Sequence, residues 1–310
     1  MLRSAGRNGV ALAIAQQRLW FLAQVDPSNP AYNLSKAIRL KGALNTEALK
    51  KSLDGVVRCH EALRTTFSMA EEGQPVQVVG NDRSLELPHI DISGRKGVAQ
   101  EAELKRLCLE ISQRPFDLSS DLMLRTALLR PSDDEHVLLL VTHQIVADDR
   151  SMDILLQELA ALHEQFSMGT SFSRPELPAQ YVDYAVWQAE WLQGDVSAAQ
   201  VSYWKEKLSG VPTLDLPVDR ARPPLQTFRG DRHPFVFPKA LSDELRELSH
   251  REGVTLFVVL LAAFKSLLHR YTNQVDIVVG SPTPGRTRNG TEKLVGCFVN
   301  SLVLRSDLSG

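Results

Sequence analysis

The sequence predicts a layered α/β fold of the α+β kind, with more than one domain, on three observations. Helical and strand-like patterns alternate along all 310 residues, a length that fits about two domains at the usual ~100–200 residues each. The run Val137-Leu-Leu-Leu-Val141 is the pattern of a strand covered on both faces. Apolar residues make up 43% and charged residues 23% of the chain, ordinary proportions that exclude a disordered or fibrous protein.

Taken in order, Ala11–Leu22 reads as a helix that stops before Pro27 and Pro30, and Asn33–Lys41 alternates like a strand. Asn45 is a good N-cap, with Glu47 in the first turn, for a helix to about His60. A strand over Leu63–Met69, a helix over Val98–Leu109 and a strand over Met123–Arg130 follow. The turn Pro131–Glu135 leads into the buried strand His136–Thr142. Ser151 is placed to cap the next helix, whose apolar face is Met152, Leu155, Leu156, Leu159, Leu162 and Phe166, with Gly169 as its stop.

The Ser/Pro-rich stretch Phe172–Pro178 and the proline-rich Pro212–Pro224 are candidate linkers, on either side of aromatic helices at Tyr181–Leu192 and Ser197–Leu208. Beyond them the patterns give a strand near Arg232–Phe237, a helix from Ser242 to Gly253, an apolar helix Leu256–Tyr271 and a strand Val275–Ser281. These boundaries divide the chain into 1–172, 173–224 and 225–310.

Charge and cysteine usage narrow the partners. With 35 basic and 37 acidic residues the net charge is −2, which points to neither nucleic acid nor an anionic membrane. Cys59, Cys108 and Cys297 form no CxxC pair and no signal peptide is evident, so a reducing, cytoplasmic setting is expected. The most apolar stretch, Leu256–Phe264, falls well short of the ~20 residues a membrane span needs and predicts a buried core helix.

The sharpest local feature is His143-Gln-Ile-Val-Ala-Asp148-Asp149, between the buried strand and the helix that follows. An imidazole and two carboxylates at such a junction can do acid–base work or bind a metal. A satisfied buried histidine and a helix-start aspartate would produce the same pattern. Asp219-Arg-Ala-Arg-Pro and Gly285-Arg-Thr-Arg288 could bind anions, and Trp187 and Trp191 share a helix face at i, i+4 spacing. GxSxG elbows, phosphate loops and HExxH are absent.

Five segments together resemble the condensation domain of nonribosomal peptide synthetases. Ala15-Gln-Gln-Arg-Leu-Trp-Phe-Leu22 with Asn29-Pro-Ala-Tyr-Asn33 is similar to that family's first signature, and His60-Glu-Ala-Leu-Arg-Thr-Thr-Phe67 to the second. His143–Asp149 stands where the family carries HHxxxDG. Tyr181-Val-Asp-Tyr-Ala-Val-Trp-Gln188 and Val295-Gly-Cys-Phe-Val-Asn-Ser-Leu-Val-Leu-Arg305 resemble the fourth and fifth. Arg114-Pro-Phe-Asp117, Leu216–Pro224 and Thr227-Phe-Arg-Gly230 are weaker echoes.

The resemblance implies a chloramphenicol-acetyltransferase-like fold of two lobes, the first complete by about Phe172 and the second incomplete at Gly310. It implies amide formation between a donor thioester and an acceptor amine. Both would arrive on the 4'-phosphopantetheine arms of donor and acceptor peptidyl carrier proteins, beside adjacent synthetase domains. No nucleic acid, membrane, metal or directly bound cofactor is expected to take part. The catalytic segment would be His143, Gln144 and Asp148, supported by Arg64, Arg286, Trp187 and Asn300, with Arg286 as the partner of Asp148.

Three positions depart from the family's pattern. Gln144 stands where the second motif histidine belongs, Asp149 replaces the motif glycine, and Cys59 replaces an arginine, while Arg64 is kept. A glutamine amide donates and accepts hydrogen bonds but takes no proton near neutral pH. The sequence therefore implies weakened amide formation or, as the alternative, a non-catalytic scaffold that docks carrier proteins. Transfer of the acyl group to another acceptor is a third reading.

Overall fold

The computed structural model describes residues 9–170, 177–224, 230–231 and 233–310. Helices and strands alternate as the patterns predict. In chain order they are β1 (Val10–Ala11), α1 (Ile14–Val25), β2 (Asn33–Lys41), α2 (Thr46–Cys59), β3 (Thr65–Met69), β4 (Pro75–Val79), β5 (His89–Asp91), α3 (Gly97–Gln113), β6 (Leu124–Ser132), β7 (Glu135–His143) and α4 (Asp149–Ser167). Then come α5 (Tyr181–Trp191), α6 (Asp195–Lys207), α7 (Lys239–Arg251), α8 (Leu256–Thr272), β8 (Asp276–Thr283) and β9 (Asn300–Asp307).

Two compact units emerge. The first takes the described residues up to Ser197 together with Pro284–Asn300, and the second takes Ala198–Thr283 and Ser301–Gly310. This division follows contacts, whereas the three-part division above follows proline-rich stretches. Its boundaries at 172 and 225 fall on residues outside the described set.

The first unit is built on a sheet in the order β2-β7-β6-β5, with β7 antiparallel to β2 and β6, and β5 parallel to β6. Every residue of β7 from His136 to His143 is buried, which is why its sequence shows no polar alternation. Helices α2 and α4 pack together. Asn45 caps α2 by accepting the Ala48 N–H at 2.9 Å, and the helix buries Leu49, Leu53, Val56 and Val57. Met152, Leu155, Leu159 and Leu162 form the buried stripe of α4, each fully buried side chain contributing roughly 1.5–3 kcal/mol. A smaller antiparallel sheet, β1-β4-β3, completes the unit.

Three expectations need correction. Ser151 does not cap α4. Asp148 does, accepting the Ser151 N–H at 2.7 Å, because a carboxylate at the N-cap reaches the third helical N–H. His233–Phe237 is not a strand: Phe235 and Val236 are exposed, no strand pairs with the segment among the described residues, and Arg232 lies outside them. The apolar helix α8 forms, but it is not a core helix. Phe257, Val258, Phe264, Leu267 and Tyr271 are exposed, and only Lys265 and Leu268 are buried. An apolar sequence sets what a helix can bury, while the neighbours decide what it does bury.

In the second unit β8 pairs with β9, and α8 packs on α7 and β8. The Lys265 ammonium donates to the Leu304 carbonyl at 2.8 Å and to Ser306 Oγ at 2.7 Å, tying α8 to β9. Among the described residues, no single helix is long and apolar enough to cross a membrane.

Candidate active site

The site is a strand-to-helix junction. Strand β7 ends at His143, five residues turn the chain, and α4 begins with Asp148 as its cap. Within the turn Ile145, Val146, Ala147 and Asp148 are buried and Gln144 is half-buried. The Gln144 N–H donates to the Tyr32 carbonyl at 2.8 Å and the Val146 N–H to the His143 carbonyl at 3.1 Å. From the first signature, Gln16 Nε2 donates to the Ile145 carbonyl at 3.2 Å.

His143 serves this turn directly. Its Nδ1 accepts the Ile145 N–H at 3.1 Å, which leaves the ring proton on Nε2. The ring centroid lies 6.4 Å from Tyr32 and 6.3 Å from Phe116. Burial pushes the His143 pKa down to about 4, so the imidazole is neutral at physiological pH. Phe116 also lines a groove of about 450 Å³ along β6, beside Arg114 and Arg125.

Asp148 is the hub of the second half of the site. Its Oδ1 accepts from Ser151 N–H, from Ser151 Oγ at 2.6 Å and from Arg286 Nη2 at 2.9 Å, and its Oδ2 accepts the Phe298 N–H at 3.2 Å. Arg286 Nη1 donates to the carbonyls of Thr291 and Leu294 at 2.6 and 2.7 Å, and its guanidinium lies 4.1 Å from the Phe298 ring centroid. The contact expected between Asp148 and Arg286 is therefore present, with side-chain exposures of 3% and 8%. A buried pair of this kind depends on partners for its remaining donors and acceptors; the carbonyls of Thr291 and Leu294 take Nη1, while Nε is buried without a hydrogen-bond partner.

Ser151 joins the same cluster. Its hydroxyl accepts the Gly296 N–H at 3.1 Å and lies 2.9 Å from both Arg286 Nη2 and the Gly296 carbonyl. Tyr181 donates its hydroxyl to the Cys297 carbonyl at 2.6 Å, and its ring meets Phe298 edge-on at 5.0 Å. A Cβ on Gly296 would fall 1.9 Å from Tyr181 Cδ2, so only glycine permits this approach.

The other expected residues are distributed around the framework. Trp187 stacks on Trp191 with ring centroids 5.5 Å apart, and the Arg288 guanidinium lies 4.2 Å from the Trp187 centroid. Arg286 and Arg288, read above as possible anion ligands, are thus engaged within the protein. Arg64 is not brought to Asp148: it donates to the Gly80 carbonyl and lies 3.6 Å from Asp82. Asn300 is exposed at the start of β9.

In the second signature His60 Nε2 lies 2.5 Å from Glu158 Oε2. Cys59 contributes its carbonyl, which accepts from Gln180 Nε2 at 2.9 Å, a contact indifferent to its side chain. Asp149 is exposed in the first turn of α4, where the helix dipole favours a carboxylate. Among the described residues no cluster of three His, Cys, Asp or Glu side chains could hold a metal ion.

Sequence reasoning missed Ser151 as a hub, Gly296, and the grip of Gln16. Gly296 and Gln16 lie inside quoted signatures, but the local pattern carries no sign of partners 115 to 145 residues away.

The family model of the condensation domain matches residues 7–310. One of the linear gramicidin synthase proteins of Brevibacillus parabrevis is 46% identical over 302 residues, which is 97% of this chain and 4% of that protein. The chain thus spans a small part of the length of its curated relatives. The X-domain of teicoplanin biosynthesis, solved in complex with OxyB, superimposes with a TM-score of 0.87 at 30% identity, over 100% of this chain and 69% of that one. The first condensation domain of the calcium-dependent antibiotic synthetase, solved with a substrate analogue, gives a TM-score of 0.80 at 22% identity over 96% of this chain and 69% of that one. The fold is the chloramphenicol-acetyltransferase-like one expected from the signatures.

Proposed function

We propose that this chain, which belongs to the condensation-domain family of nonribosomal peptide synthetases, joins a donor acyl group to an acceptor amine as an amide. Amide formation on carrier-bound substrates is that family's function. On this reading both reactants ride as thioesters on phosphopantetheine arms of a donor and an acceptor carrier protein, and the chain itself holds no cofactor. Residues 1–172 are read as the first acyltransferase-like lobe and 225–310 as part of the second.

The acceptor nitrogen attacks the donor carbonyl. A C–N bond forms, the C–S bond breaks, the donor arm leaves as a thiol and the amine loses a proton. The supporting observation is the half-buried Gln144 in a turn whose other side chains are enclosed. Its amide would orient the amine by hydrogen bonding, and the proton would leave without a basic side chain from that position. His143, neutral and bonded to the Ile145 N–H, is read as holding the turn. Asp148 and Arg286 are read as holding the segment Pro284–Asn300 against it.

Magnitudes favour slow turnover over none. General acid–base help contributes roughly 10²–10⁴ in rate, whereas holding two reactants in line contributes as much as ~7–11 kcal/mol by itself. In an assay with loaded donor and acceptor carriers, Gln144→His should raise amide formation by about 10²–10⁴. No product from either protein would overturn the reading.

A second reading is favoured by the same glutamine and by the X-domain relative, which is solved bound to another protein, OxyB. There the chain is a docking scaffold that forms no bond. It predicts carrier binding with product at background, and product above background refutes it.

A further inference from the structure

The turn that carries Gln144 is gripped from three directions. His143 takes the Ile145 N–H on its ring and the Val146 N–H on its carbonyl, Tyr32 takes the Gln144 N–H, and Gln16 takes the Ile145 carbonyl. Only the last grip is a side chain from outside the motif, 129 residues away in the chain. Gln16 is 1% exposed, in the first turn of α1. Its Oε1 accepts the Ala13 N–H at 3.0 Å, closing the start of the helix, while its Nε2 faces the turn. The helix start is fixed in turn by α5, because the Ile14 N–H donates to Gln188 Oε1 at 2.9 Å.

We infer that Gln16 is a positioning residue for the reaction, orienting the Ile145 peptide and through it the Gln144 side chain; this rests on the reading that Gln144 works at the reacting centre. The position needs one planar group that accepts on one side and donates on the other, without charge, in a dry site. An amide is that group. A methionine would fill the space but leave the Ala13 N–H and the Ile145 carbonyl without this partner. An ionised glutamate would keep the first bond and set an oxygen against the Ile145 carbonyl. A protonated glutamate would restore both bonds, and burial favours the protonated form.

The test measures kcat and KM for amide formation between loaded carriers, in the full-length protein, with thermal midpoints recorded for every variant. Gln16→Met should lower kcat about tenfold, the scale of one lost hydrogen bond, with KM unchanged. Placed in a Gln144→Ala background it should lower kcat no further, because Gln16 acts through Gln144. Gln16→Glu should be slow at high pH, with its ratio to the parent enzyme recovering as pH falls.

A tenfold loss that persists in the Gln144→Ala background, or a kcat that merely follows the folded fraction, would overturn the role of Gln16. So would a Gln16→Glu ratio that stays flat with pH. Unchanged turnover in Gln144→Ala would instead overturn the role of Gln144, and absence of product from the parent would overturn both. Should Gln16→Met not fold, the pH dependence of the Gln16→Glu ratio decides the matter alone.

Discussion

Among the described residues, two Asp–Arg pairs each join a carboxylate to backbone carbonyls, in opposite surroundings. In the first unit Arg286 donates to Asp148 and to the carbonyls of Thr291 and Leu294. In the second, Arg305 donates to Asp276 through Nε at 2.9 Å and Nη2 at 2.7 Å, and to the carbonyls of Lys207 and Ser209 at 2.9 Å. Each arginine therefore staples one carboxylate to two backbone oxygens. The exposures differ: 3% and 8% for Asp148 and Arg286, against 25% and 26% for Asp276 and Arg305. Water can take over either half of the second pair, whereas each half of the first depends on the other. The fork of Arg305 on its carboxylate is the fuller of the two, yet it is burial that makes the Arg286 pair a cross-brace and leaves the Arg305 pair a surface clasp.

The largest expected effect follows from breaking the buried pair. Arg286→Ala strands a desolvated carboxylate and should lower stability by about 3–5 kcal/mol in urea denaturation. Asp148→Ala should also be severe, and it removes the cap of α4 as well. The double variant should cost clearly less than the sum of the two. Strictly additive costs would mean that the two side chains do not support each other.

A second effect sharpens the dryness of that region. Because burial lowers the folded-state pKa of His143 to about 4, the unfolded chain binds more protons wherever pH is below ~6.5. Stability is therefore full above ~6.5 and is lost as pH falls toward 4, by on the order of 3 kcal/mol. Replacing His143 with glutamine should flatten this part of the stability–pH profile. An unchanged slope would show that the acid sensitivity arises elsewhere.

The smallest effect belongs to the exposed pair. Arg305 holds the Asp276 carboxyl below the usual carboxylate range, so the pair contributes above the ordinary aspartate pKa and its contribution fades as pH drops below it. Asp276→Ala should lower the thermal midpoint slightly, and molar salt should shrink that difference while leaving the Arg286→Ala deficit in place. Equal salt sensitivity of the two variants would erase the distinction between the pairs.

The same contrast marks what could be read in the sequence. The bounds of β2, the Asn45 cap and the Gly169 stop were legible because local chemistry settles them: the Gly169 N–H closes on the Phe166 carbonyl with φ at 74°. The buried run of β7 was legible because covering on both faces removes alternation. Position 151 was not. A serine before an apolar stripe reads as a cap, yet its hydroxyl serves Gly296, 145 residues away. Helix α8 misleads for the complementary reason, since its composition announces burial that its neighbours do not provide. Within the site, the motif located Asp148 and the resemblance suggested Arg286, but the roles of Ser151, Gly296 and Gln16 depend on tertiary contacts.

Gln144 has a consequence for how such a site changes over generations. Its neighbours Ile145, Val146, Ala147 and Asp148 are all enclosed, so exchanging any of them disturbs packing or strands a charge. Gln144 lends the framework its backbone N–H, which any residue except proline supplies, and keeps its side chain half in solvent. Histidine, glutamine or another polar residue can therefore alternate there with little penalty in folding. On the proposed reading, in which Gln144 works at the reacting centre, gain or loss of a proton acceptor there is a single substitution away in either direction.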